Sequence, residues 1–441
     1  MSAPLLQRWL NIRRGEGGPV LVAALFFFCV LPALMMLRPA REALGMQRGM
    51  DAIRWLFVGT VVVTLAVNPL FGLLVSRLRR FAFTVATYLF FAAGLLGFCV
   101  LLVFAPAQVG QHSGQVFYVW FSVFNLFATM LFWALMADRF TLEQSRRLFG
   151  AIAVGGTLGA IFGPWLASLL ARPLGTAALL PVAAAFLLLA LAAARRLARL
   201  PAAVNVGSRD DASRGAGRAV IGGSAWEGLG AVTRSPYLLA ICAYVLVVAI
   251  MSTLVYFTRL QMVAALGTDL DQRTTVFARI DMITQAATLL LQALVAGHLM
   301  KRLGSSVVLA LLPAVAALGF LGLAIAGSLA ALVAFEALFR AVQRGIMRPA
   351  RETLFTTVSR SDRYKAKAFI DTFVYRTGDV VGAQTEGLLG RLGMGLAALA
   401  AFAVPLALAW MALGLWLGWT QRARAAGSAE LPQQQATGVA A

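Results

Sequence analysis

The sequence predicts an all-α integral membrane protein of about twelve transmembrane helices in two six-helix bundles. Three observations predict it. Hydrophobic residues fill 60% of the 441 positions, charged residues only 13%, and the mean hydropathy is +0.82, which is far too apolar for a chain surrounded by water. The apolar runs continue for about 20 residues, the length an α-helix needs to cross a bilayer, whereas barrel strands are shorter and alternate with polar residues. A single long polar interruption, Pro201 to Arg234, rich in Gly, Ser, Ala and Arg, divides the chain into two halves.

The elements follow in order. Residues 1–18 are polar and basic and read as a cytoplasmic N-terminus. The first apolar run continues past Ala33 without a small-residue cleavage site, so it is expected to stay as a span at 19–44. Further spans at 54–76, 81–105, 114–137, 148–171 and 176–198 complete an N-terminal bundle over 19–200. Residues 201–235 form the linker, placed in the cytoplasm. Spans at 236–260, 274–299, 305–326, 328–350, 367–390 and 395–419 form a C-terminal bundle over 236–420. The remainder, 421–441, is short, polar and rich in Gln, Ala and Gly, and is expected to be a disordered cytoplasmic tail. This is the outline of a major facilitator transporter, two bundles with a site near the midplane between them.

Arginine placement orients the chain. With the N-terminus inside, the inner segments collect Arg8, Arg13 and Arg14, then Arg77, Arg79 and Arg80, then Arg139, Arg146 and Arg147, and later Lys301, Arg302, Arg360, Arg363, Lys365 and Lys367. The outer turns are nearly bare, so both termini are expected in the cytoplasm of a cell whose plasma membrane is of the bacterial inner-membrane type. The net charge of +20 is then accounted for by inner loops facing anionic lipid, and nucleic acid is not expected as a partner. Cys29, Cys99 and Cys242 are scattered through apolar runs and read as small buried hydrophobes. A membrane enzyme would need a nucleophile with a base, or a metal set. Only His112 and His298 exist, both near span ends, so no catalytic residue, metal or cofactor is expected.

One outer turn breaks the positive-inside pattern, holding Arg38, Arg41, Arg48 and Arg54. Within it Arg38-Pro39-Ala40-Arg41-Glu42 recurs as Arg348-Pro349-Ala350-Arg351-Glu352, each copy attached to an apolar run. A charged side chain at the bilayer centre costs about 2.5 to 3.5 kcal/mol on the most lenient scales, so arginines there face a partner or a water-filled cavity. In the tenth span Glu336, Arg340, Arg344, Arg348 and Glu352 recur at every fourth place, which predicts one charged stripe down a helix, with Arg351 beside Arg348. Either the stripe lines a cavity, or the helix emerges into the cytoplasm after Ala341 and its end is simply solvated. Gly155, Gly159 and Gly163 recur at the same spacing in the fifth span without a Gly-Lys-Ser/Thr ending, which excludes a phosphate-cradling loop and points to close helix packing.

Several stretches together resemble the nucleotide transporter family that includes the ATP/ADP translocases of plastids and of intracellular bacteria. Leu37-Arg38-Pro39-Ala40-Arg41-Glu42 is similar to the Leu-Arg-x-x-Lys-Asp pattern that ends the family's first span, with Arg for Lys and Glu for Asp. Pro349-Ala350-Arg351-Glu352 echoes its Pro-x-Lys-Glu pattern, and Lys365-Ala366-Lys367-Ala368-Phe369-Ile370-Asp371 fits the Lys-x-Lys-x-x-x-Asp run that opens the eleventh span. The chain departs from the family at the end of the seventh span. There Leu254-Val255-Tyr256-Phe257-Thr258-Arg259-Leu260 keeps a cation near the family's lysine and loses its carboxylate. Arginine for lysine keeps the charge but replaces a point charge with a planar fork.

The resemblance implies a secondary transporter that moves a phosphorylated anion such as a nucleotide, by exchange of the ATP/ADP type and as a monomer in the lipid bilayer. A polyphosphate leaving water needs several convergent cations. Arg41 and Arg351 are the principal candidates, with Arg38, Arg344 and Lys367 as helpers and Arg259, Arg340, Arg348 and Lys365 completing the set. Glu42 and Glu352 are expected to neutralise arginines when no substrate is bound. Arg279, Asp281, Asp371, Arg376 and Asp379 are the candidates for coupling or gating, either as proton relays or as charge pairs. The alternative is a proton-coupled exporter of another organic anion or a drug, with Asp281, Asp371 or Asp379 as the titrating group, and behind it stands a non-transporting sensor, which would bind its ligand without flux.

Overall fold

The computed structural model describes residues 16–77, 80–200, 232–292, 297–358, 369–393 and 395–438, with positions 13, 230, 362, 366 and 367. Most of the expected N-terminal segment and linker, and Lys365, lie outside the described residues. The helices are α1 (Gly17–Gly45), α2 (Met50–Arg77), α3 (Arg80–Phe104), α4 (Ala107–Arg139), α5 (Leu142–Leu174), α6 (Leu179–Arg199), α7 (Pro236–Ala264), α8 (Leu270–Leu291), α9 (Gly297–Ala326), α10 (Leu329–Val342), α11 (Arg348–Leu354), α12 (Tyr375–Arg391) and α13 (Leu396–Gly438). The class is all-α, as the continuous apolar runs require.

Among the described residues, nine helices are long and apolar enough to cross a membrane. The expected eighth, tenth and eleventh spans fall short of that measure, and each carries more than one charged residue in its interior: Arg279 and Asp281 in α8, Glu336 and Arg340 in α10, and Arg376, Asp379 and Glu386 in α12. Charge placed there lowers mean hydropathy, which is how a lined cavity differs from a lipid-facing helix. The last helix, α13, is continuous from Leu396 to Gly438.

The described residues fall into two compact units, one from Met1–Arg218 and Val263–Met282, the other from Ala219–Met262 and Ile283–Ala441. In the first, α1 is the innermost helix. Phe27 stacks on Phe132 of α4 with ring centres 4.1 Å apart, and Phe26 meets the same ring edge-on. The α5 glycines bring α5 against α1: a Cβ on Gly155 would lie 2.3 Å from the Ala24 carbonyl oxygen, and one on Gly159 2.6 Å from that of Phe28. The segment 263–282, which the linker-based division puts in the second half, joins this unit because its polar groups find partners here. Asp271 Oδ1 accepts from the Thr176 backbone N–H and hydroxyl, both at 2.7 Å, and Ala278 enters the core.

At the entry to α1 and α5 a polar clasp holds the two helices in register. Thr141 caps α5 in a reciprocal box with Gln144, and Gln144 and Arg147 both reach Glu16 at the start of α1. Arg147 grips Glu16 with both Nη atoms, at 2.7 and 2.8 Å. That fork holds the Glu16 carboxyl, ordinarily near 4.5, down to about 2 against an opposing effect of burial. A carboxyl lowered on folding stabilises the folded state above its unfolded pKa, and loses that contribution as pH falls through the folded one. Wild type should therefore lose thermal stability more steeply between about pH 4.5 and 2 than Glu16→Gln, as melting curves in detergent at stepped pH would measure.

The second unit repeats the glycine device. Gly378 and Gly382 of α12 lie against α7, where added Cβ atoms would sit 2.8 Å from the Leu246 oxygen and 3.0 Å from that of Ile250. Here the eleventh span packs on the seventh as the fifth packs on the first, six spans earlier in both members. Tyr244 of α7 donates to the Leu309 carbonyl at 2.7 Å, and its ring lies 5.5 Å from that of the buried Trp410.

The tenth span is not one straight helix. A π-turn at Gln343–Met347 separates α10 from α11, with the Arg348 N–H bonded to the Gln343 carbonyl, and a second π-turn at Ile370–Val374 precedes α12. Pro349 gives a physical reason for the first: proline has no N–H, and in a straight helix its ring meets the carbonyl four residues back. Widening the turn accommodates both. The five-residue stripe from Glu336 to Glu352 is accordingly corrected into two groups, since the extra residue rotates everything after Met347.

Candidate functional site

In the first unit, the end of α1 carries two arginines with different surroundings. Arg41 lies with its guanidinium carbon 3.7 Å above the Tyr118 ring, donates through Nε to the Tyr118 carbonyl at 3.2 Å, and pairs with Glu42 at 3.0 Å. Glu42 is fully buried. An aromatic face, a carbonyl and a carboxylate fix this guanidinium in a desolvated position, where each contact is worth more than it is in water. Arg38 approaches Asp281 of α8 at 3.7 Å, and the Asp281 carboxylate is only 4% exposed. Arg279, two residues before Asp281 and so on a different side of α8, is exposed.

In the second unit, Arg259 of α7 and Arg340 of α10 converge on one carboxylate. Glu336 Oε1 accepts from Arg340 Nε at 2.6 Å and from Arg259 Nη1 at 3.3 Å, and the Arg259 and Glu336 side chains are both 0% exposed. Arg344, one turn on, donates to the neutral amide of Gln285. Two guanidiniums thus share the Glu336 carboxylate. Arg348 is exposed.

Beyond the π-turn a second set forms. Arg351 bonds to Glu352 at 3.2 Å and to Asp371 at 3.0 Å, and Lys367 pairs with Glu352. The two copies of the repeated pentapeptide therefore share one feature, an arginine bonded to the glutamate that follows it, in Arg41 with Glu42 and Arg351 with Glu352. Their backbones differ, because α1 runs unbroken through Pro39 while Pro349 follows a π-turn. In α12, Asp379 is buried and pairs with Arg376 at 3.0 Å while accepting from the Thr253 hydroxyl at 3.3 Å.

The candidate residues divide between the two units. Arg38, Arg41, Glu42, Arg279 and Asp281 belong to the first unit; Arg259, Arg340, Arg344, Arg348, Arg351, Glu352, Lys367, Asp371, Arg376 and Asp379 belong to the second. Sequence reasoning missed Tyr118 under Arg41 and Thr253 beside Asp379. Neither carries a local signal, since Tyr118 is 77 positions from Arg41 and Thr253 is 126 from Asp379.

No curated protein matches the chain in sequence. Among solved structures, it is similar in fold to a mutant form of the nucleoside transporter NupG, at 12% identity and a TM-score of 0.61 over 92% of this chain and 99% of that one. It is also similar to the POT family transporter PepTSo, at 11% identity and a TM-score of 0.62 over 92% and 98% of the two chains. An auto-inhibited POT family peptide transporter aligns at 14% identity and a TM-score of 0.59 over 90% and 96%. These identities speak for the fold alone. The sequence itself matches the family model of the Major Facilitator Superfamily over residues 20–335, well over half its length, so this chain, a multi-pass membrane protein and secondary transporter rather than an enzyme, belongs to that superfamily.

Proposed function

We propose that the chain carries a phosphorylated anion, a nucleotide, by exchange of the ATP/ADP type, acting as a monomer in the plasma membrane with both termini in the cytoplasm. Its two bundles, 19–200 and 236–420, alternate in opening to either side. The observation that carries this reading is the set of guanidinium groups in the second unit, where Arg259 and Arg340 share the Glu336 carboxylate and Arg344 has the neutral Gln285 as a partner. Buried positive charge is expensive, and a cargo bearing several negative charges offsets it. Arg41, held against Tyr118 with a forked donor set, is suited to a phosphate oxygen as a planar guanidinium is and an ammonium is not.

The test is uptake of labelled ATP into proteoliposomes loaded with ADP. Saturable exchange is expected from wild type, with Arg41→Ala and Arg351→Ala each reducing it by about a hundredfold or more, the scale on which lost charge-assisted contacts act. Folded protein without flux would reject nucleotide exchange. The proton-coupled exporter of another organic anion has its own support in Asp379, a carboxylate buried among Thr253 and Arg376. Flux of a non-nucleotide anion that follows an imposed pH gradient, and that Asp379→Asn uncouples from that gradient, would favour it.

A further inference from the structure

We infer that Arg340 is an anion ligand that Glu336 holds in reserve, so that Glu336 is a built-in competitor for the anionic group of the cargo. The inference rests on the proposed function and adds how that site is kept closed when empty. Glu336 is fully buried and uses its two oxygens unequally. Oε1 serves both Arg340 and Arg259, while the buried Oε2 accepts no hydrogen bond. A carboxylate beside an arginine ordinarily engages it with both oxygens, and a buried acceptor left empty is costly. The arrangement is therefore incomplete as it stands.

The two arginines differ in access. Arg259 is 0% exposed, whereas Arg340 is 15% exposed, so Arg340 is the one an entering anion reaches. If a phosphate or carboxylate group takes the Arg340 fork, Glu336 can turn both oxygens onto Arg259, and the idle Oε2 gains the donor it lacks. The loss of one partner is offset by a better grip on the other. Two cations with one carboxylate then become two cations with two anions, which balances the charge of the buried cluster. Arg259 is a positioning residue in this exchange and Arg340 the ligand. The cargo group is an oxyanion with two oxygens matching a guanidinium, such as a terminal phosphate.

The test uses the full-length protein in detergent micelles, with inorganic pyrophosphate as the probe and calorimetric dissociation constants as the readout. Glu336→Gln should bind pyrophosphate about tenfold more tightly than wild type, which is about 1.4 kcal/mol. Glu336→Asp, whose carboxylate is one methylene short of bridging both arginines, should fall between them. Combining Glu336→Gln with Arg340→Gln should erase the gain. If Glu336→Gln does not yield monodisperse helical protein, Glu336→Asp carries the test alone. The inference is overturned if the variant that folds binds pyrophosphate no more tightly than wild type, or if neither binds it, since Glu336 is then a fixed counter-ion. Failure of the nucleotide reading has a different signature, absent ATP/ADP exchange in proteoliposomes with the tightening of pyrophosphate binding intact.

Discussion

Gly155→Ala should lower the stability of the folded transporter by about 3 kcal/mol, the upper end of the cost of overpacking, although it adds a single methyl group. In an exposed helix interior the same change stabilises by roughly 0.5 to 1 kcal/mol, because glycine gives up more backbone entropy than alanine on folding. The sign reverses here because of the atoms that the methyl meets. The nearest to a Cβ on Gly155 are the Ala24 carbonyl oxygen at 2.3 Å, its carbon at 2.8 Å and the Ala24 Cα at 3.0 Å, all backbone. A side chain could rotate away; a helix backbone moves only as a body, and moving α1 would disturb the contacts of Phe26 and Phe27 with Phe132. Gly150→Ala on the same helix is the control, since a Cβ there meets nothing within 4 Å and should be neutral or stabilising. Melting temperatures of the two variants in one detergent would measure the difference. Equal melting of Gly155→Ala and wild type would mean that α5 does not owe its place against α1 to its glycines.

The fold was legible because it depends on properties that sum along the chain. Nine of the expected spans have runs of apolar residues that require a helix in hydrocarbon. The fifth-span glycines announced a close contact, and only the identity of the partner helix, α1, had to come from three-dimensional packing. The features that escaped the sequence are local and cooperative. A fourfold spacing from Glu336 to Glu352 describes one stripe only if every turn has the same width, and the wider turn at Gln343–Met347 breaks that condition.

The site was legible as charge and illegible as geometry. Arg38, Arg41, Arg340 and Arg351 stood out because arginine is rare in apolar runs, and each has a counter-group in the structure. Which counter-group could not be read, because pairing depends on distant elements: Asp281 pairs with Arg38, and Arg259 reaches Glu336 across 77 positions. Glu336 was visible only as a member of a stripe. Its role as the carboxylate shared by two arginines becomes apparent once α7 and α10 lie side by side.

Replacing Pro349 by alanine should straighten the tenth span and reduce the proposed nucleotide exchange by about tenfold or more while leaving the protein at least as stable. A proline inside a helix costs about 3 kcal/mol relative to alanine, through the missing N–H and the clash of its ring with the preceding turn. The chain meets that cost with the π-turn Gln343–Met347, in which the Arg348 N–H reaches back five residues to Gln343. One extra residue in a turn rotates the rest of the span by about 100° relative to α10, and this rotation aims Arg351 at Asp371, 3.0 Å away, and sets Glu352 against Lys367. Alanine at 349 restores the N–H and removes the ring, so the regular ladder can run from α10 into α11. Arg351 would then fall back into the row of Glu336, Arg340 and Arg344, leaving Asp371 without it. A melting temperature at or above that of wild type, together with impaired ATP/ADP exchange in proteoliposomes, is the expected pair of results. Unimpaired exchange by a fully folded Pro349→Ala would mean that the π-turn is held by the residues around Gln343 and Gly345 and that the proline only adapts to it.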